Sequence, residues 1–154
     1  MAETSNGSAG KQRVVLEMSL EHANALAVAA EAFSRIGIGQ LQHIAELVRF
    51  GTIPLQRDSG TERVTAEVED AERIEELMSV AKGILGYPRN GSNGIGHRHV
   101  SKDVHRAWEV HKVLRKALAV HRNPSPDFAG VDYDGLSLRY SSEEAPVAVV
   151  RSQG

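Results

Sequence analysis

The stretch Leu136-Ser137-Leu138-Arg139-Tyr140-Ser141-Ser142-Glu143-Glu144-Ala145-Pro146-Val147-Ala148-Val149-Val150 decides the fold class. Leu136, Leu138 and Tyr140 alternate with Ser137, Arg139 and Ser141, a turn-like segment follows from Ser142 to Pro146, and Val147 to Val150 resumes the apolar run. That pattern predicts a terminal hairpin. The same period of two recurs at the other end, where Val14, Leu16 and Met18 oppose Val15 and Glu17 from Arg13 onward. The expected architecture is therefore α+β, a small antiparallel sheet of the N-terminal strand plus the C-terminal hairpin, packed with three to four helices. A further short strand is expected at Glu62 to Val68, which alternates through Val64 and Ala66.

Between these ends the period lengthens to three and four. Ser19 caps a helix from Leu20 whose stripe is Leu26, Ala30, Phe33, Gly37, Leu41, Ile44, Leu47 and Val48, running to about Phe50. Gly37 and Gly39 interrupt it, each costing about 1 kcal/mol in a helix interior, which is tolerated at a kink or a close approach. Thr52 to Gly60 reads as a surface loop. Glu69 to Leu85 forms a second amphipathic helix, with Ile74, Leu77, Met78, Ala81, Ile84 and Leu85 inward and its acids crowding the first turn, where the macrodipole favours them. Ser101 caps a third helix to about His121, with Val104, Ala107, Trp108, His111, Leu114, Arg115 and Leu118 on one stripe. Asn123 to Gly130, with Pro124 and Pro126, then breaks it.

The chain of 154 residues suits one domain at 13–151 behind a disordered polar tail at 1–12. It has no cysteine, so disulfides, thiol catalysis and cysteine-zinc sites are excluded. No apolar run approaches the roughly 20 residues of a membrane span, and the polar opening lacks the apolar core of a signal peptide, so a soluble intracellular protein is expected. The formal charge of -2 hides an acidic segment (Glu67, Glu69, Asp70, Glu72, Glu75, Glu76) and a basic one (Arg98, Lys102, Arg106, Lys112, Arg115, Lys116, Arg122). That uneven balance suits a small anionic ligand better than a long nucleic acid, which normally demands a net basic domain.

The segment from Gly86 to His99 holds four glycines, at 86, 91, 94 and 96, and opens onto the basic helix. Glycine freedom lets backbone N–H groups converge on an anion. A solvent-exposed connector that merely has to turn would look the same. No Gly-Lys-Ser/Thr follows, so it is not a P-loop. Arg115 shares its stripe with Trp108 and Leu114 and cannot discard its charge. It needs an acid, a bound anion or water beside it, unless it snorkels from the stripe's edge. Gln40 lies on an apolar stripe bordered by Arg35, and its amide must find partners in a neighbouring backbone or in a ligand. Arginines for phosphate, amide-rich loop, Asn93 and Gln40 for polar edges, and Tyr87 or Trp108 for stacking a base together suit a nucleotide-like ligand closed in between protomers. Seven histidines mark no HExxH or third ligand, so no metal is expected, and no nucleophile, acid and base stand at a diagnostic spacing.

Phe33-Ser34-Arg35-Ile36-Gly37-Ile38-Gly39-Gln40, Asn93-Gly94-Ile95-Gly96, His111-Lys112-Val113-Leu114-Arg115 and Val131-Asp132-Tyr133-Asp134-Gly135-Leu136 resemble the first-described family of phage Thoeris anti-defence proteins. The resemblance implies a non-enzymatic sponge in the host cytoplasm that sequesters cyclic ADP-ribose isomers without cleaving them. It also implies a homodimer, in some relatives a hexamer that takes cyclic di- or trinucleotides of CBASS defence at separate sites, and no cofactor, membrane or DNA. By position it implies Arg35 and Arg115 on pyrophosphate, Tyr87 on adenine where the family would have phenylalanine, and Asn93 with Gly94 from the loop. Gln40 is added on its own chemistry. A further arginine comes from the region between the first two long helices, for which Arg57 and Arg63 compete and Arg63 is the candidate. The alternative is a nucleic-acid or nucleotide-binding regulatory protein, with a hydrolase of such nucleotides third.

Overall fold

The computed structural model describes residues 12–56 and 67–151. Among these residues four helices carry the fold: α1 (Leu20–Gly37), α2 (His43–Arg49), α3 (Val68–Ile84) and α4 (Lys102–Arg122), followed by a 3-10 turn at Val131–Tyr133. α1 packs most extensively on α4, and α2 on α3. The expected tail at 1–12 falls, except for Gln12, outside the described residues.

The α+β expectation is overturned, because among the described residues there is no strand and no sheet. Residues 13–18 are extended but unpaired, with Val14 86% and Val15 84% exposed, so neither side of the segment buries anything that would drive a ladder. Alternation reports an extended backbone; pairing needs a partner, and one isolated hairpin is marginal in water. Among the described residues, Arg13 Nη1 instead pairs with Glu144 Oε1 at 3.1 Å. Residues 136–150 run extended along α4 and are held by side chains instead of by each other. The strand expected at Glu62–Val68 lies outside the described residues except for Glu67 and Val68, which cap and open α3.

The long first helix also divides. Gly39 adopts φ 92°, outside the right-handed helical region, and α1 ends at Gly37. Gly37 matters for packing instead. A Cβ there would lie 2.2 Å from Val104 Cγ2, so the missing side chain lets α1 and α4 approach. The face of α1 that is buried is Ala27, Ala30 and Ser34, turned from the expected Leu26 and Phe33, which remain exposed. Small side chains sit at the crossing and large ones flank it. Ser34 satisfies its hydroxyl by donating to Ala30 O at 2.7 Å.

Both cap predictions hold. Ser19 Oγ accepts from His22 N at 3.2 Å, and Ser101 Oγ from Val104 N at 3.3 Å. α3 starts with a capping box between Glu67 and Asp70, which accounts for the acids in its first turn. The inward stripe expected for α3 is corrected, however. Leu77 and Ile84 are 64% and 83% exposed, whereas Asp70, Ala71 and Lys82 are buried, because α3 turns this narrower face to α2. No helix among the described residues is long and apolar enough to cross a membrane.

Candidate functional site

Ending α1 at two glycines turns the chain so that Arg35 and Gln40 meet. Arg35 Nη1 donates to Gln40 Oε1 at 2.9 Å, and its Nε and Nη2 each donate to Glu31 Oε1 at 2.9 Å. The partner of Gln40 is thus a guanidinium, neither of the two expected from the sequence. Burial pushes the Glu31 carboxyl up, but the Arg35 hydrogen bond and the charges of His111, Arg35 and Arg115 outweigh it, leaving the group below its usual range.

The glycine-rich segment docks on this same turn. Asn93 N donates to Ile38 O at 2.8 Å, and the Tyr87 ring lies on Gly39, where a Cβ would be 2.5 Å from Tyr87 Cε1. Gln42 Nε2 donates to Arg89 O at 3.3 Å, and Lys82 Nζ to Gln42 Oε1 at 3.4 Å. The backbone nest is not formed. Of the segment's glycines only Gly86 has positive φ, and the N–H groups of Gly91, Asn93, His97 and Val100 are spent on Pro88, Ile38, Gly94 and His97 carbonyls. Gly94 accepts from His97 N at 3.0 Å, and a Cβ at position 94 would meet nothing within 4 Å.

On α4, Arg115 takes the first of its three options. Its Nε donates to Asp132 Oδ1 in the 3-10 turn, with the two side chains 30% and 42% exposed. Beside it His111 is buried, and its Nδ1–H donates to Ala27 O at 3.2 Å across the α1–α4 crossing. Burial holds the His111 imidazole below its ordinary value against the opposing pull of Glu31 and the Ala27 carbonyl, while Arg115 and Lys112 push it the same way as burial.

Arg35, Gln40, Tyr87 and Asn93 therefore gather at the C-terminal end of α1, whereas Arg115 is held apart from them on Asp132. Arg63 and its competitor Arg57 lie outside the described residues. Two carboxylates in this neighbourhood were missed as site residues. Glu31 precedes Arg35 by four, the spacing of a helical ion pair, and could have been found that way. Asp132 could not, since its pairing spans a chain reversal. Among the described residues, no three His, Asp or Glu side chains are placed to hold a metal ion.

Compared with protein-family models, curated proteins and solved structures, the chain matches none.

A separate hollow of about 350 Å³ opens between α4 and the extended segment, lined by Trp108, Lys112, Asp134, Leu136, Leu138 and Tyr140 among others. Glu109, 2% exposed, shapes it: its Oε1 accepts from Tyr140 N at 3.0 Å and Ser141 N at 2.8 Å, and its Oε2 from Ser141 Oγ at 2.6 Å. Burial raises this carboxyl, but the Ser141 hydroxyl and the two N–H groups bring it below its ordinary value. A second hollow of about 460 Å³ lies further along α4, against 146–150. Neither is lined by Arg35, Gln40, Tyr87, Asn93 or Arg115.

Proposed function

We propose that this chain is a non-catalytic binder of cyclic ADP-ribose-type signalling nucleotides, a phage sponge acting in the host cytoplasm to blunt Thoeris immunity. The observation that carries the reading is the gathering of Arg35, Gln40, Tyr87 and Asn93 around one helix end. The family resemblance of these segments supplies the ligand class.

Both arginines already hold acids, so a pyrophosphate would compete with Glu31 and Asp132 for them. The existing pairs are partly exposed and worth about 0 to 1 kcal/mol each, so they are weak competitors. Arginine also grips phosphate with two parallel N–H groups. A second protomer would roof the patch. A homodimer, or a hexamer that also takes cyclic di- or trinucleotides, follows from the resemblance.

The deciding experiment incubates the protein with cyclic ADP-ribose isomers, removes free ligand, denatures by heat and chromatographs what is released. A sponge returns the isomer intact. An altered product makes the protein a hydrolase, and no capture at all leaves Glu31–Arg35 as an ion pair within α1 and Arg115–Asp132 as a tie between α4 and the 3-10 turn.

A further inference from the structure

Trp108 and Lys112 are one turn apart on α4, and the Lys112 ammonium sits 5.5 Å from the centre of the Trp108 ring. The same hollow is lined by Asp134, which precedes Gly135 with its φ of 64°. Among the described residues neither Lys112 nor Asp134 has an oppositely charged group within 4 Å. The same walls thus carry one cation and one anion that do not neutralise each other, above apolar surface from Ile95, Leu136 and Leu138.

The far wall is fixed in advance. Tyr140 is held by its backbone to buried Glu109, and its ring lies 5.6 Å from that of His105 and against Gly96, where a Cβ would be 2.6 Å from Tyr140 Cε1. His105 is held in turn, its Nε2–H donating to Ile95 O at 2.8 Å. A wall locked through three side chains loses little freedom when a ligand arrives.

We propose that this hollow binds a small zwitterion with an apolar or aromatic body, of which an aromatic α-amino acid is the simplest member. Its carboxylate would pair with Lys112, its ammonium with Asp134, and its ring would lie against Trp108 and the leucines. The sign pattern selects the class. A phosphate dianion gains Lys112 but meets the Asp134 charge, and a simple amine gains Asp134 but meets Lys112. A molecule with one charge of each sign satisfies both. The volume of about 350 Å³ is near the lower end of ligand pockets, which suits one small molecule and not a dinucleotide. This site is separate from the arginine patch and stands whether or not that patch captures nucleotides.

Trp108 is the chain's one tryptophan and lines this hollow, so at fixed pH, with the nearby His111 ring in one state, its emission reports on occupancy. The full chain is titrated with L-phenylalanine, phenethylamine and phenylacetate, with calorimetry alongside. L-Phenylalanine should give a saturable change with a dissociation constant of about 1 mM or below, and the two singly charged probes should bind about tenfold more weakly or worse. Lys112→Gln should erase the advantage of L-phenylalanine over phenethylamine, and Asp134→Asn its advantage over phenylacetate. A flat titration, equal affinities for the three probes, or variants that bind all three as the parent does each overturn the proposal.

Discussion

Gly37 of α1 and Val104 of α4 touch so closely that a single added carbon at position 37 would lie 2.2 Å from Val104 Cγ2. Val104 is buried and β-branched, so its methyl has no free rotamer to swing into. Gly37→Ala should therefore destabilise the fold, although alanine is the better helix former. Overpacking costs about 1 to 3 kcal/mol and cancels the gain of about 1 kcal/mol in propensity. The urea midpoint should fall at unchanged slope. A midpoint that rises would mean that the helices separate without cost and the close approach is incidental.

Glu109 presents a full charge to two N–H groups and a hydroxyl while almost completely buried, so Glu109→Gln should cost about 1 to 3 kcal/mol. The folded carboxyl lies below its ordinary value of 4.5, so its contribution is complete above that pH and is lost as pH falls through the lower folded value. Acid unfolding should be shallower in Glu109→Gln. Some slope will remain, because the Arg106 hydrogen bond also pulls exposed Glu143 down to about 2. Identical acid profiles for parent and variant would remove Glu109 from this account.

His111 gives a second, milder window. Its folded value is depressed below the ordinary 6.5, so the stability it contributes is present above that pH and is lost as protonation begins below it. Between about pH 7.5 and about pH 5.5 the parent should lose melting temperature, and His111→Gln should lose less. The groups acting on the ring are Glu31, Arg115 and Lys112, so a flat parent profile would mean that Glu31 shelters the imidazolium.

Arg115→Ala should abolish capture of cyclic ADP-ribose isomers while lowering stability by no more than about 1 kcal/mol, since its pair with Asp132 is partly exposed. Asp132→Asn makes the opposite prediction. With the internal competitor gone, affinity should rise by roughly fivefold. Calorimetry on the two variants decides it: capture unaltered by Arg115→Ala excludes that arginine, and capture weakened by Asp132→Asn makes Asp132 a ligand contact instead of a rival.

Three helices were legible in their extent: Ser19 and Ser101 mark two starts, and the third was read as beginning at Glu69, one residue inside α3, but the faces they bury and the separate α2 were not. The break after Gly37 was legible only as an interruption, because whether glycine kinks or ends a helix depends on what packs there, and here Val104 and Tyr87 do. The sheet was misread since alternation at 13–18 and 136–150 describes the shape of each segment and is silent on partners. In the site, Arg35 with Glu31 could be anticipated from their spacing of four, whereas Arg35 with Gln40 depends on the chain turning at Gly39. Asp132 against Arg115, and Glu109 beneath Tyr140, arise from chain reversals that no periodicity encodes.

The clasp at Glu109 has a consequence for solvent exchange along the last extended segment. Paired strands would shelter alternate amides over both arms, but among residues 136–150 only Tyr140 and Ser141 donate a backbone N–H to another described residue. In deuterated water those two amides should keep their protons long after their neighbours have exchanged, giving a protected doublet in an otherwise labile ribbon.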